Sequence, residues 1–386
     1  LPPTVLFVGA RLFVDVAGYA GDAGIRKILT ESNPTAPYQE LADEVHIVPR
    51  GMEHPTRIAL ERNVDGVVPL IGVDDPLPGV ARMKEELERH GIPVAASPPE
   101  GTRTGVDKIE AKRAFEDLGI PTPEWEIVDS GRPEMDPPIV VKDPRSQAGH
   151  GVSVFTERKP AVHGRRLVER FVDGAEISME VLSWRGKVVS LVPAFKGSTR
   201  EDRHPIRRMR MAPAPLNEDV ERAIRKDAER LVKKLGLEGN VDFDIVVNGD
   251  EYWFLEFNPR PSGTRYLTSG ATGIWPLREM TDMVLGDWKP PDPEPKWFAI
   301  ECPVWRPRTV APLERLFDGG IHHVFYRYHG VTDLAGRVTV RGEGPEDAMR
   351  TLLTALKAAG ADIDRVKREY DLRTEEITRY LGERAG

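Results

Sequence analysis

Residues 239–263 read GNVDFDIVVNGDEYWFLEFNPRPSG. Asp244 and Glu256 stand twelve positions apart there, on two predicted strands joined by the turn Asn248-Gly249-Asp250. Asn258 and Arg260 follow on the same exit segment. Two carboxylates and an amide oxygen converging across a hairpin make a hard, all-oxygen site. Mg²⁺ favours such donors, above all when phosphate oxygens share its coordination. An arginine two residues further on can hold a negatively charged intermediate. Asp242 rivals Asp244, because strand alternation puts both side chains on one face.

Two further segments carry chemistry. In residues 137–155, PPIVVKDPRSQAGHGVSVF, an apolar strand presents Lys142 and leads into a polar loop with Gly149 and Gly151, then a second strand. A strand–glycine loop–strand can fold over a triphosphate with its backbone N–H groups on the oxygens. Lys142 would add a point charge there. An ordinary hairpin would give the same pattern, and the segment is not the G-x-x-x-x-G-K-[ST] loop. In residues 166–182, RLVERFVDGAEISMEVL, an apolar run ends at Glu169 and a turn at Asp173-Gly174 leads to Glu176. A linker of this type can bond adenine through its backbone at Val172 and ribose hydroxyls through Glu176. A plain hairpin with solvent-facing glutamates is the alternative.

Taken together, four segments resemble the ATP-grasp superfamily of carboxylate–amine ligases, including the biotin carboxylase and carbamoyl-phosphate synthetase branch. They are DKIEAKRAFEDLGIPTP (107–123), VVKDPRSQAGHGV (140–152), VERFVDGAE (168–176) and VDFDIVVNGDEYWFLEFNPRPSG (241–263). The resemblance implies ATP and Mg²⁺ as cofactors, with Mn²⁺ as a possible substitute. It implies Lys108 and Lys142 as phosphate lysines, Gly149 and Gly151 as the phosphate loop, Glu169 and Val172 as the adenine hinge, and Glu176 as the ribose ligand. It also implies Asp244, Glu256 and Asn258 as metal ligands, Asp244 being preferred over Asp242 for its spacing to Glu256. Arg260 becomes the residue that stabilises an acyl phosphate or the tetrahedral species after it, and Lys196 joins it as a catalytic candidate. The loop carries two glycines where many members have more, and His150 is unusual in it.

The substrate side is a dense basic stretch, residues 194–211, with Lys196, Arg200, Arg203, His204, Arg207, Arg208 and Arg210. Arginine forms bidentate pairs with carboxylate and phosphate, so Arg208 and Arg210 are candidates for an anionic substrate. A solvated loop balanced by Glu201 and Asp202 is the other reading. Ser262 and Arg265, with Gly263 and Thr264, continue from the metal strand and could line the acceptor pocket.

The elements that must position these groups form three predicted units. Residues 1–106 alternate strands and helices as an open α/β layer: a strand at 5–8, a helical stretch to about Leu29, strands at 45–48 and 66–71, a helix at 78–90 and a strand at 93–95. Its first turn, Gly9-Ala10-Arg11, lacks the G-x-G-x-x-G fingerprint, which argues against a dinucleotide site. Residues 107–288 are the expected ATP-grasp core, with a helix starting at Asp107 and stopped by Gly119. A proline-rich linker, KPPDPEPK, separates residues 297–386, a small α/β unit with strands near 298–304, 322–328 and 338–341 and helices at 345–359 and 362–381. The expected fold is thus an α/β and α+β ATP-grasp architecture with a Rossmann-like preceding domain.

Composition narrows the function classes. With 54 Lys+Arg against 62 Asp+Glu, the net charge of -8 argues against general nucleic-acid binding. The single cysteine, Cys302, excludes an internal disulfide and a thiolate cluster. No apolar stretch is long enough to span a bilayer, and the opening LPPTVLFVGA reads as a buried strand rather than a signal peptide. The expected setting is cytoplasmic and a homodimer, with a small carboxylate and amine as partners and no membrane or nucleic acid. The scarcity of glutamine suggests a thermophilic source. The expected reaction runs through an acyl phosphate. Bicarbonate activation is the near alternative, and a nucleotide-binding regulator without catalysis is the alternative of another class.

Overall fold

The computed structural model describes residues 2–146, 151–201, 205–286, 288–314, 321–324 and 333–382. The first apolar run forms β1 (Thr4–Val8), which pairs in parallel with β2 (Arg26–Glu31) and with β4 (Gly66–Pro69). β3 (Glu44–Ile47) flanks β2, giving the order β3-β2-β1-β4. Helices α1 (Val14–Asp22), α2 (Glu53–Arg62) and α3 (Leu77–Arg89) complete this layer. The helical stretch expected to reach Leu29 ends at Asp22, and the residues after it form β2. Gly24, at φ +70, breaks the helix. Ile28 and Leu29 are both fully buried, in hydrophobic clusters on opposite faces of the sheet. A parallel strand covered on both sides loses its alternation and imitates a buried helix segment. The strand expected at 93–95 is reduced to one parallel bridge, Val67 to Val94.

α4 (Pro99–Gly105) leads to α5 (Lys108–Asp117). The Asp107 side chain caps α5 by accepting from the Ile109 N–H at 3.0 Å, and Gly119 follows its end at φ +62. Four antiparallel strands then form a small sheet: β5 (Trp125–Gly131), β6 (Ile139–Lys142), β7 (Val152–Phe155) and β8 (Val162–Arg170), in the order β5-β8-β6-β7.

The central sheet takes β9 (Ala175–Trp184), β10 (Lys187–Ser190), β11 (Ala194–Ser198) and β12 (Arg210–Ala212). After α6 (Glu218–Leu235) it takes the hairpin β13 (Gly239–Asn248) and β14 (Glu251–Asn258). Its path is β14-β13-β9-β11-β12-β15-β17-β16, with β10 on β9. The last three strands of that path are β15 (Phe298–Trp305), β16 (Ile321–Val324) and β17 (Leu334–Gly342). The C-terminal strands therefore extend the sheet that carries the β13–β14 hairpin, through Met211 opposite Ile300. Helices α7 (Arg265–Thr272) and α8 (Pro276–Leu285) follow β14, and α9 (Pro345–Ala359) and α10 (Ile363–Leu381) close the chain. Among the described residues, no helix is long and apolar enough to cross a membrane.

α8 ties the first layer to the rest. Leu277, Met280, Met283 and Val284 pack with Val5, Phe7 and Phe13 in one cluster. The polar side of α8 carries Glu279, which accepts from the Trp288 indole N–H at 2.9 Å. Burial pushes the Glu279 carboxyl up to about 7, against the smaller opposing effect of that hydrogen bond. A carboxyl raised in the folded state stabilises fully below its unfolded pKa and loses that contribution as pH rises through the folded value. Glu279→Gln keeps an acceptor for Trp288 and removes the charge. The variant should exceed the parent in stability by about 1–3 kcal/mol at pH 8, and the difference should vanish near pH 4.5. Urea unfolding at both pH values checks this; equal stability at pH 8 would show that the charge is well solvated.

Candidate active site

The hairpin register sets the geometry. Asp244 lies directly opposite Glu256, and Asp242 opposite Asn258, with a bulge after Asp244. Two carboxylates at a direct cross-strand position repel each other unless cations intervene. Each has one. Lys196 on β11 forms an ion pair with Asp244. Lys108, at the start of α5, lies 3.1 Å from Glu256 and also donates to the Ser146 carbonyl at 2.5 Å. Burial would raise the Glu256 carboxyl, but Lys108 and Lys142 more than reverse this and hold it near 2. Burial likewise works against the Lys196 ammonium, and Asp244 outweighs it. Asp242 differs: burial and the neighbouring Asp244 push its carboxyl well above the carboxylate range. It accepts from the Ser178 hydroxyl at 2.6 Å, and Ser178 meets Thr264 at 2.8 Å.

The small sheet presents a second cluster. Lys142 at the end of β6 pairs with Glu169 at the end of β8. Lys112, fully buried on α5, approaches the other carboxylate oxygen of Glu169 at 2.8 Å and donates to Thr122 at 2.7 Å. Burial lowers the Lys112 ammonium to about 8, despite Glu169. Lys112 escaped the sequence reading. Its signal was its place one helical turn after Lys108, on the same face of an amphipathic helix.

The remaining candidates spread over the neighbouring elements. Val172 follows β8 half-buried, and Gly151, at φ +67, accepts from the Asp143 N–H at 3.0 Å. Gly149 and His150 lie outside the described residues, as do Arg203 and His204. Glu176 on β9 lies 2.9 Å from Arg208. Arg210 lies 3.4 Å from the buried Glu301, which Arg337 also holds at 2.8 Å. Arg260 pairs with Asp74 from the loop after β4 and reaches the Asn258 side-chain oxygen at 3.4 Å. Ser262 meets Thr264 at 2.7 Å. Arg265 is buried against Asp15 of α1 at 2.8 Å, beside Tyr266, whose hydroxyl donates to the same carboxylate at 2.6 Å. Lys108, Lys142, Lys196, Asp244, Glu256 and Asn258 thus share one neighbourhood, whereas Arg265 belongs to the seam with the first layer. Asp74 and Asp15 were not legible as partners, because both arrive from far upstream in the chain.

The donor set suits a hard divalent cation bound together with a polyphosphate: carboxylate and amide oxygens on one hairpin, ringed by lysines on three other elements. Among the described residues, no cluster of three or more His, Cys, Asp or Glu could hold a metal ion.

Known proteins are similar to this chain in sequence and fold. Residues 106–264 match the family model described as "ATP-grasp domain". A carbamoyl-phosphate synthase of Methanobrevibacter smithii is 37% identical over 365 residues, covering 90% of this chain and 98% of that protein. Two solved structures share the fold. The biotin carboxylase domain of Hydrogenobacter thermophilus 2-oxoglutarate carboxylase, crystallised as a dimer with MgADP and bicarbonate, superposes with a TM-score of 0.75 at 16% identity, covering 93% of this chain and 90% of that one. N5-carboxyaminoimidazole ribonucleotide synthetase from Thermotoga maritima gives a TM-score of 0.71 at 19% identity, covering 92% and 98%. With a relative that similar along nearly the whole of both chains, and a hairpin whose carboxylates are ringed by lysines, this chain belongs to the ATP-grasp family of carboxylate–amine ligases.

Proposed function

We propose that the protein phosphorylates a small carboxylic acid with ATP and couples the acyl phosphate to an amine. The observation that carries this reading is the matching of lysines to carboxylates around the hairpin: Lys108 with Glu256, Lys196 with Asp244, and Lys142 and Lys112 with Glu169. Such pairs can repartition. When a polyphosphate enters, the lysines turn to its oxygens and the carboxylates are left to a cation. Asp244, Glu256 and Asn258 would hold Mg²⁺, or Mn²⁺ in its place, with Asp242 as the rival to Asp244. Bound there, the ion neutralises negative charge on the transferring phosphate.

The chain's own residues then take these roles. Lys108, Lys142 and the loop with Gly149 and Gly151 hold the phosphates. The backbone at Val172 receives adenine above Glu169, and Glu176 receives the ribose hydroxyls. A carboxylate oxygen of the acid bonds to the γ-phosphorus as its bond to the ADP oxygen breaks. The amine nitrogen then bonds to the acyl carbon, phosphate leaves, and the amine proton departs with it. Arg260 and Lys196 stabilise the oxyanion of the second step. The acid and amine lie beside Arg260 and Ser262. Arg210 is kept for the anionic end of the substrate, while Arg208 is given to Glu176 and Arg265 to the seam that supports Ser262.

A second reading makes bicarbonate the acid. The Methanobrevibacter smithii relative supports it, since that protein is a carbamoyl-phosphate synthase. Release of ADP with bicarbonate, and with bicarbonate plus ammonium, measured beside a pool of carboxylic acids and amines, separates the two. ADP release in no mixture would overturn both. A homodimer is proposed by analogy with the biotin carboxylase domain dimer, and light scattering tests it.

Two variants probe the site. Glu256→Gln keeps shape but removes a charge from the cation site, and should lower kcat by about a hundredfold or more at limiting Mg²⁺. Parent-like turnover there would exclude Glu256 as a ligand. Lys112→Met removes one of the two cations on Glu169, so the carboxylate should draw Lys142 away from the phosphates. The KM for ATP should rise about tenfold with kcat nearly unchanged. In the parent, the same KM should climb as pH passes about 8 and Lys112 loses its proton, while the variant stays flat. A parent KM independent of pH from 7 to 9.5 would show that Lys112 only packs.

A further inference from the structure

The last helix reaches the nucleotide side of the site at two points. Arg373 on α10 is fully buried. Its Nη2 lies 2.5 Å from the Glu201 carboxylate, and its Nη1 lies 3.2 Å from Glu376 one turn along the same helix. Glu201 in turn holds Arg208: its carboxylate lies 3.8 Å from Nε, and its carbonyl accepts from Nη2 at 2.8 Å. The remaining nitrogen of Arg208 lies 2.9 Å from Glu176. A chain of alternating charges, Arg373–Glu201–Arg208–Glu176, therefore runs from the C-terminal helix to the carboxylate assigned to ribose.

Backbone geometry supports the same connection. Gly197 is the direct cross-strand neighbour of Glu176, next to a bulge that sets off Lys196. Gly197 has φ +110, and a methyl group there would lie 2.2 Å from Arg373 Nη1 and 3.3 Å from the Arg208 side chain. Only glycine lets the buried guanidinium come so close to the strand. Two turns further along α10, the Tyr380 hydroxyl donates at 2.8 Å to Asp173, the residue after Val172. Arg200 holds the same carboxylate with two contacts of 2.6 Å.

We infer that Arg373 is a positioning residue for the nucleotide: through Glu201 and Arg208 it fixes the Glu176 carboxylate in the orientation that receives the ribose hydroxyls, making the C-terminal helix part of the ATP site. This rests on the assignment of Glu176 to ribose. A carboxylate held from behind by one guanidinium keeps its outward oxygen directed. Without the second arginine, Arg208 and Glu201 can pair with each other in several ways, and Glu176 loses that constraint.

The test compares ATP with 2′,3′-dideoxyATP in steady-state kinetics of the full-length protein, for the parent, Glu176→Gln, Arg373→Lys and Glu201→Gln. The parent should prefer ATP in KM by about tenfold or more, the effect of one or two lost hydrogen bonds to a charged group. Glu176→Gln should abolish most of that preference. Arg373→Lys and Glu201→Gln should each reduce it by about fivefold, leaving kcat with ATP and the KM values for acid and amine within about twofold. Retention of the parent's preference in both, while Glu176→Gln loses it, would overturn the inference and leave the ribose assignment standing. Retention in Glu176→Gln as well would overturn both. Should Arg373→Lys melt at a much lower temperature than the parent, Glu201→Gln decides alone, since it weakens the same link while leaving an amide oxygen to accept from the buried arginine.

Discussion

Like charges placed face to face across a hairpin are the constraint around which this protein is arranged. Asp244 and Glu256 occupy one cross-strand position, where a cation can be held between them and where, without compensation, they would destabilise the sheet. Compensation comes from lysines on other elements: β11 supplies Lys196, and α5 supplies Lys108. These same lysines suit a polyphosphate. One set of charge pairs therefore serves the folded state and leaves the site ready for a negatively charged ligand with its metal.

That solution dictates much of the surrounding architecture. Lys108 must emerge at the first turn of a helix, so Asp107 caps α5 and fixes where it begins. The next turn of the helix delivers Lys112 to Glu169, which ties the small sheet to α5 electrostatically. Burial of Lys112 is tolerable because its ammonium is ion-paired with Glu169 and donates a hydrogen bond to Thr122; an unpartnered ammonium at that depth would be strongly destabilising. Arg260 is held by Asp74 and Arg265 by Asp15, so the segment after β14 is anchored in the first layer at two points. The α/β layer, which carries no dinucleotide fingerprint, thus has a physical task in holding the far wall of the site.

The C-terminal strands extend the sheet of the β13–β14 hairpin rather than standing apart beyond the linker. β12 is short, only Arg210–Ala212, yet it bridges β11 to β15. The basic stretch around it is consumed largely by internal pairing: Arg207 with Asp333, Arg208 with Glu176 and Arg200 with Asp173. Arginine suits this use because its planar fork satisfies two acceptors at once. A cluster of arginines in a sequence is accordingly ambiguous between a substrate clamp and a framework, and its carboxylate partners decide which.

The features legible in the residues alone were those written in short-range chemistry. The hairpin follows from Asn248-Gly249-Asp250 between two apolar runs, the start of α5 from Asp107, and the four ordered segments from their residue types and spacing. The two last helices, expected at 345–359 and 362–381, form there to within one residue. Tertiary structure alone decided the rest, because those features depend on contacts between residues far apart in the chain. β2 imitated a helix because both its faces are buried. Lys112 acquired meaning only when Glu169 folded over it, and Asp74 only when the first layer met Arg260. Arg373 stands 165 positions after Arg208, and only the packing of α10 against β11, across a glycine, brings both arginines to Glu201.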